Sequence, residues 1–232
     1  MFFGGIQKNS FIDYPGKVSC VLFLSGCNFS CPFCHNPDLA KGYHEYHENM
    51  AEEGIYNFLK IRREFLDGVV ISGGEPTLQK DLFQLCERIK NLGYSVKLDT
   101  NGSRPHEVRN LINEGLVDYV AMDIKTDPIY YNPTIKKGAN GQDIITSIQI
   151  IMESAKAYEF RTTCVKPLIN EKVIEGIARI IKGASLYALQ EFQKTEVLNP
   201  ECFQEPDSWY TEDEIMDFKT IVEPWVQECV VR

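Results

Sequence analysis

From Lys17 onward, apolar runs of strand length alternate with amphipathic stretches of helical period. This rhythm constrains the fold more than any other feature, because strand–helix–strand units cover both faces of a parallel sheet. Strand patterns fall at 17–24, 68–72, 94–99, 117–124, 160–166 and 184–191. Helical periodicity fills 50–64, 79–91, 105–114, 142–157 and 171–181. Within 79–91, Leu82, Phe83, Leu85, Cys86 and Ile89 recur at spacings of three and four, and Gly93 is a stop signal. Residues 1–16 read as a short extended lead-in ending in the turn signal Asp13-Tyr14-Pro15-Gly16. Beyond 196 the chain is irregular and then resumes as an acidic helix near 211–222, with Trp209, Tyr210 and Trp225 available to pin it to the body. The pattern predicts one α/β domain with a lead-in (1–16), a core (17–195) and a tail (196–232). Six strands are too few for a closed eight-stranded barrel.

Composition narrows the setting. A charged fraction of 25% and an apolar fraction of 44% over 232 residues suit a packed globule. The longest apolar run, Val18 to Leu24, is far short of a membrane span. Met1-Phe2-Phe3-Gly4-Gly5 lacks the basic region and apolar core of a signal peptide, so a cytoplasmic protein without a membrane partner is expected. A net charge of -9 argues against nucleic acid as partner. Eight cysteines in such a setting are not a disulfide framework. Cys20, Cys86 and Cys164 sit in strand-like or helix-like runs and read as small buried residues, while Cys202 and Cys229 stand alone.

The remaining three cysteines share one loop, Cys27-Asn28-Phe29-Ser30-Cys31-Pro32-Phe33-Cys34, just past the first strand. Open α/β sheets and α/β barrels place their chemistry at that end of a strand. Soft thiolates suit zinc or an iron–sulfur cluster rather than a hard cation. Structural zinc wants a fourth ligand, and His35, directly after Cys34, is poorly placed to turn onto the same ion. A 4Fe-4S cubane would use three thiolates and leave one iron open, with Pro32 and Phe33 stiffening and shielding the loop. Three further stretches lie at strand ends: Ser72-Gly73-Gly74-Glu75-Pro76, Asp99-Thr100-Asn101-Gly102 and Asp123-Ile124-Lys125. Paired glycines admit a ligand close to the backbone, as they also permit any tight turn. Asp99 and Asp123 would face one rim, although either could simply cap its loop. His44 and His47 could bind metal, or belong to a polar surface loop.

C-x3-C-x2-C with an aromatic before the last cysteine resembles the signature of the radical SAM superfamily. Cys34-His35-Asn36-Pro37 resembles its glycyl-radical-enzyme activating branch, nearest to the activases of anaerobic ribonucleoside-triphosphate reductase and more distantly those of pyruvate formate-lyase. The resemblance implies a partial (β/α)6 TIM-like barrel of the radical SAM type, with which six strands agree. It implies a 4Fe-4S cluster on Cys27, Cys31 and Cys34. S-adenosyl-L-methionine would lie against Phe33, His35, Gly73, Gly74 and Glu75, and against Asn101, Lys125 and Gln193. A monovalent cation would sit on Asp99, Thr100 and Asp123. A histidine found near the position of Gln193 in pyruvate formate-lyase activases is absent here. The implied reaction takes an electron from flavodoxin or ferredoxin, cleaves S-adenosylmethionine, and removes a hydrogen from a glycine of the partner enzyme. Two alternatives stand beside it. One is a small-molecule enzyme like the 7-carboxy-7-deazaguanine synthases, whose first cysteine spacing is longer. The other is a non-catalytic zinc module.

Overall fold

The computed structural model describes residues 3–42, 51–193, 197–203 and 208–232. His44 and His47 lie outside the described residues. Eight strands form one sheet in chain order. They are β1 (Phe3–Ser10), β2 (Ser19–Leu24), β3 (Gly68–Gly73), β4 (Ser95–Thr100), β5 (Tyr119–Asp123), β6 (Tyr158–Cys164), β7 (Tyr187–Glu191) and β8 (Cys229–Val231). β1 runs antiparallel to β2, and every later neighbour is parallel. Among the described residues β1 and β8 do not pair, so the sheet is an open, incomplete barrel.

All six expected strands are present, and two more flank them. The expected extended lead-in forms β1, and β8 draws the end of the expected tail into the sheet. Neither is conspicuous in sequence for a physical reason. β1 buries only its end residues Phe3 and Ser10 and has two register shifts against β2, so it lacks clean alternation. β8 is three residues long.

Helices connect the parallel strands: α1 (Pro37–Lys41), α2 (Glu52–Ile61), α3 (Leu82–Asn91), α4 (Pro105–Asn113), α5 (Tyr131–Thr134), α6 (Gly141–Ser154), α7 (Glu171–Ile180) and α8 (Glu212–Val222). α8 starts on a capping box between Thr211 and Glu214, and Tyr210 packs edge-on against Phe218 while its hydroxyl donates to the Ile169 carbonyl at 2.7 Å. No described helix is long and apolar enough to cross a membrane.

The strand period of two sorts side chains onto two faces. Cys20, Leu22, Val69, Ile71, Val96, Leu98, Val120 and Met122 join the large core beneath the helices. The opposite face carries Val21 and Val70, with Tyr14 folded against them and Phe23 and Tyr119 beside it. The turn 11–17 therefore does more than align β2: it inserts Tyr14 into the barrel's interior. Cys20, Cys86 and Cys164 are fully buried, as expected.

Candidate functional site

A cavity of about 440 Å³ opens at the carboxyl ends of the parallel strands. Cys27, Cys31 and Cys34 line it, with Phe33, His35, Gly73, Gly74, Asp99, Thr100, Asn101, Asp123 and Lys125. A groove of about 490 Å³ between the starts of α7 and α8, lined by Tyr210 and Glu214 among others, contains none of these residues.

Backbone pairing fixes the cysteine loop from several sides. Gly26 and Cys27 donate their N–H groups to the carbonyls of Leu39 and Ala40 at 2.7 and 3.0 Å, Ser30 donates to Ile135 at 3.3 Å, and Glu75 donates to the Gly26 carbonyl at 2.8 Å. A Cβ on Gly74 would fall 2.1 Å from that Gly26 carbonyl oxygen, and Gly73 has φ +115°. The glycine pair is thus required by the approach of the β3 turn to the cysteine loop.

All three thiols are free. The Cys27 sulfur accepts the Phe29 N–H at 3.4 Å and the Asn101 side-chain amide at 3.8 Å, the kind of contact that tunes a cluster-ligating sulfur. Burial pushes the Cys31 thiol up to about 12 against the pull of Lys125, and raises Cys27 as well. Such thiols keep their protons until a metal replaces them. Three soft sulfurs on one cavity wall suit a 4Fe-4S cluster. Among the described residues no group of three His, Cys, Asp or Glu is arranged to hold a single metal ion.

Beneath the sulfurs, the strands' inward residues form a chain of charges. Lys97 Nζ meets Asp99 at 2.6 Å; Arg161 reaches Asp99 at 3.6 Å and Asp123 at 2.7 Å; Lys125 Nζ meets Asp123 at 3.0 Å. Glu159 extends the chain, 4.0 Å from Arg161 and 2.8 Å from Arg232. Burial alone would raise the Asp123 carboxyl, but Arg161 and Lys125 outweigh it and hold it well below the usual range. Burial would lower Lys125, and Asp123 overrides it upward. The monovalent cation expected on Asp99, Thr100 and Asp123 does not fit this arrangement. Both carboxylates are already neutralised by side chains, and the Thr100 hydroxyl points away, donating to Glu75 at 2.8 Å.

Two of the residues expected to contact S-adenosylmethionine have side chains that do not line the cavity. Glu75 does not line the cavity; it is completely buried. Its carboxylate accepts from the Thr77 N–H and hydroxyl, from Thr100, and from the Asn101 N–H at 2.6 Å, binding the β3 turn to the β4 turn. Burial raises its pKa despite those bonds. Glu75→Ala strands buried donors, and a loss of about 3 kcal/mol is expected, read as a lower urea midpoint at unchanged slope. Gln193 is exposed outside the cavity. Its backbone instead hydrogen-bonds the His35 ring, while Gln190 lines the cavity.

Asp13 and Arg161 also line the cavity, and sequence reasoning gave neither a role. Asp13 comes from the turn that buries Tyr14 and accepts from the Ser10 hydroxyl at 2.5 Å. The available signal for Arg161 was Glu159-x-Arg161-x-Thr163, three polar residues on one face of a central strand.

Comparisons with known proteins agree with this geometry. The family model described as the Radical SAM superfamily matches residues 21–180. A Methanocaldococcus jannaschii protein named as a candidate glycyl-radical enzyme activating enzyme is 38% identical over 98% of this chain and 94% of its own length. The pyruvate formate-lyase-activating enzyme of Clostridium pasteurianum is 31% identical over 83% of this chain and 79% of its own. Among solved structures, Streptococcus suis SuiB superposes with a TM-score of 0.68 at 14% identity, covering 91% of this chain and 48% of that one.

Proposed function

The chain belongs to the radical SAM superfamily, and from that premise we propose that it activates a glycyl radical enzyme by generating a glycine-centred radical on it. The observation that carries the reading is one cavity lined jointly by Cys27, Cys31, Cys34, the Gly73-Gly74 turn and Lys125.

In this reading the thiolates of Cys27, Cys31 and Cys34 would hold a 4Fe-4S cluster. When bound, cluster and S-adenosylmethionine would supply the radical chemistry: one-electron reductive cleavage of the sulfonium and removal of a hydrogen from the partner's glycine. The chain's own residues bind and orient. Gly73 and Gly74 present bare backbone to the amino acid moiety, and Lys125 offers a cation to its carboxylate. Phe33 closes one wall, with Lys125 Nζ 5.7 Å from its ring centre. Asp99 and Asp123 hold Arg161 and Lys125 in place, so no monovalent ion is needed. Asn101 and His35 form further walls. No side chain is asked to act as general base, because proton transfer is not part of the step.

The partner in this proposal is anaerobic ribonucleoside-triphosphate reductase, and the electron donor a flavodoxin or ferredoxin in the cytoplasm. Overall sequence similarity to the activases of that reductase, rather than any single residue, supports this narrower reading. The test is to incubate anaerobically reconstituted protein with S-adenosylmethionine, a reductant, and either purified anaerobic reductase or purified pyruvate formate-lyase. A glycine-centred electron spin resonance signal with the first is the expected result. A signal only with the second reassigns the partner. Cleavage of S-adenosylmethionine without a signal on either returns the chain to the small-molecule alternative.

A further inference from the structure

The cysteine loop is secured unevenly by the barrel itself. Its amino half is tied to α1 and to the β3 turn, and its middle to Ile135. Its carboxyl half, which carries Cys31 and Cys34, is met instead by a segment far away in sequence. Beyond β7, Leu198 donates its N–H to the Cys34 carbonyl at 3.1 Å, and Asn199 donates to the Pro32 carbonyl at 3.0 Å. An aromatic stack closes the same side. Phe192 lies 5.1 Å from His35, 5.2 Å from Phe203 and 5.9 Å from Trp209, ring centre to ring centre, the last two nearly parallel to it. Val197 and Phe203 are buried, and Trp209 is anchored to the body by an antiparallel bridge to Val165.

We propose that Val197–Phe203, with Phe192 and Trp209, is a clasp that keeps Cys31 and Cys34 in ligating position and so retains the cluster they hold. The inference rests on the cluster reading above and adds to it a part of the chain that touches no substrate. Two amide donors fix the two carbonyls that bracket Phe33, which limits how far the loop between Cys31 and Cys34 can swing. Phe192 packs against the ring of His35, the residue adjoining the last ligand, and the other side of that ring stays exposed. Loss of one such bond and of one ring contact leaves the other loop anchors intact. The clasp should therefore govern how long the cluster survives rather than whether it forms.

The test compares wild type with Leu198→Pro, which removes the donor to Cys34, and Phe192→Leu, which removes the central ring. Each is reconstituted anaerobically, and iron release to an external chelator is timed. Melting of the iron-free proteins is recorded alongside. Full initial iron content, release faster by about tenfold, and nearly unchanged iron-free melting are the expected results. Release at the wild-type rate in both variants overturns the clasp. So does faster release that merely follows an equal loss of iron-free stability. A second measurement needs no variant: amide hydrogen exchange at Leu198 and Asn199 should slow on cluster loading, and unchanged exchange counts against the clasp. Wild-type protein that assembles no cluster at all would instead refute the parent reading, and the clasp with it.

Discussion

Cys31→Ala is expected to remove the cluster and with it all cleavage of S-adenosylmethionine, while leaving the iron-free fold nearly intact. Cys31 is the most enclosed of the three site thiols, 8% exposed, and feels the charge of Lys125 and the other two sulfurs. Its loss would leave a cubane held by two thiolates, with two irons open instead of one. A rate loss of at least about a thousandfold, ~4 kcal/mol in activation free energy, is expected. Deleting one sulfur from a packed wall costs only about 1 kcal/mol of stability. Cys86→Ala supplies the contrast. That sulfur is fully buried in α3, away from the cavity, so the variant should lose a similar amount of stability and keep its iron. Iron and sulfide per chain after anaerobic reconstitution, read beside thermal melting, separate the two effects. A Cys31→Ala protein with wild-type iron and sulfide would remove the thiolate ligand set from the account.

What could be read from the sequence, and what could not, follows the range of the interactions involved. β2 to β7 and the helices between them announce themselves because burial on both sheet faces writes a local pattern. The cysteine loop is equally plain, since three cysteines fit within eight residues. Glu75 misleads because its neighbours Gly73 and Gly74 suggest ligand contact, whereas its partners Thr100 and Asn101 lie a full βα unit away and join it only through the adjacency of β3 and β4. Gln193 comes from the resemblance, which does not fix strand phase. β7 ends at Glu191, so the inward position falls on Gln190, and Gln193 lies beyond the strand. The charge chain is half legible: Lys97-x-Asp99 and Asp123-x-Lys125 show the period of two. That Arg161 stands between Asp99 and Asp123 depends on the register pairing Asp123 with Arg161 across β5 and β6, which no local pattern encodes.

Arg161→Leu tests that register and carries the second large effect. Among the described residues the guanidinium is the one group that pairs with both Asp99 and Asp123, and its side chain is 14% exposed. Removing it leaves two carboxylates facing each other with only Lys97 and Lys125 at their outer sides, and deprives Glu159 of one neighbour. Breaking a fully buried ion pair costs about 3–5 kcal/mol. Asp123 keeps 24% of its side chain exposed, so the lower end, about 3 kcal/mol, is expected. The pH dependence has a definite sign. Asp123 is held below its unfolded value, so its contribution is present above the ordinary carboxylate pKa of about 4 and fades as pH falls through the folded value. The gap between wild type and Arg161→Leu should therefore be widest near neutrality and close on acidification, as measured by urea unfolding across that range. The same variant discriminates between a built-in cation and a borrowed one. Wild-type affinity for S-adenosylmethionine should be indifferent to replacing potassium with a bulky organic cation, whereas Arg161→Leu, with its carboxylates uncovered, should bind better when potassium is present. Potassium dependence already in the wild type would mean that Arg161 yields its place to an ion. A variant as stable as wild type at neutral pH would mean that the charge chain does not brace the floor of the site.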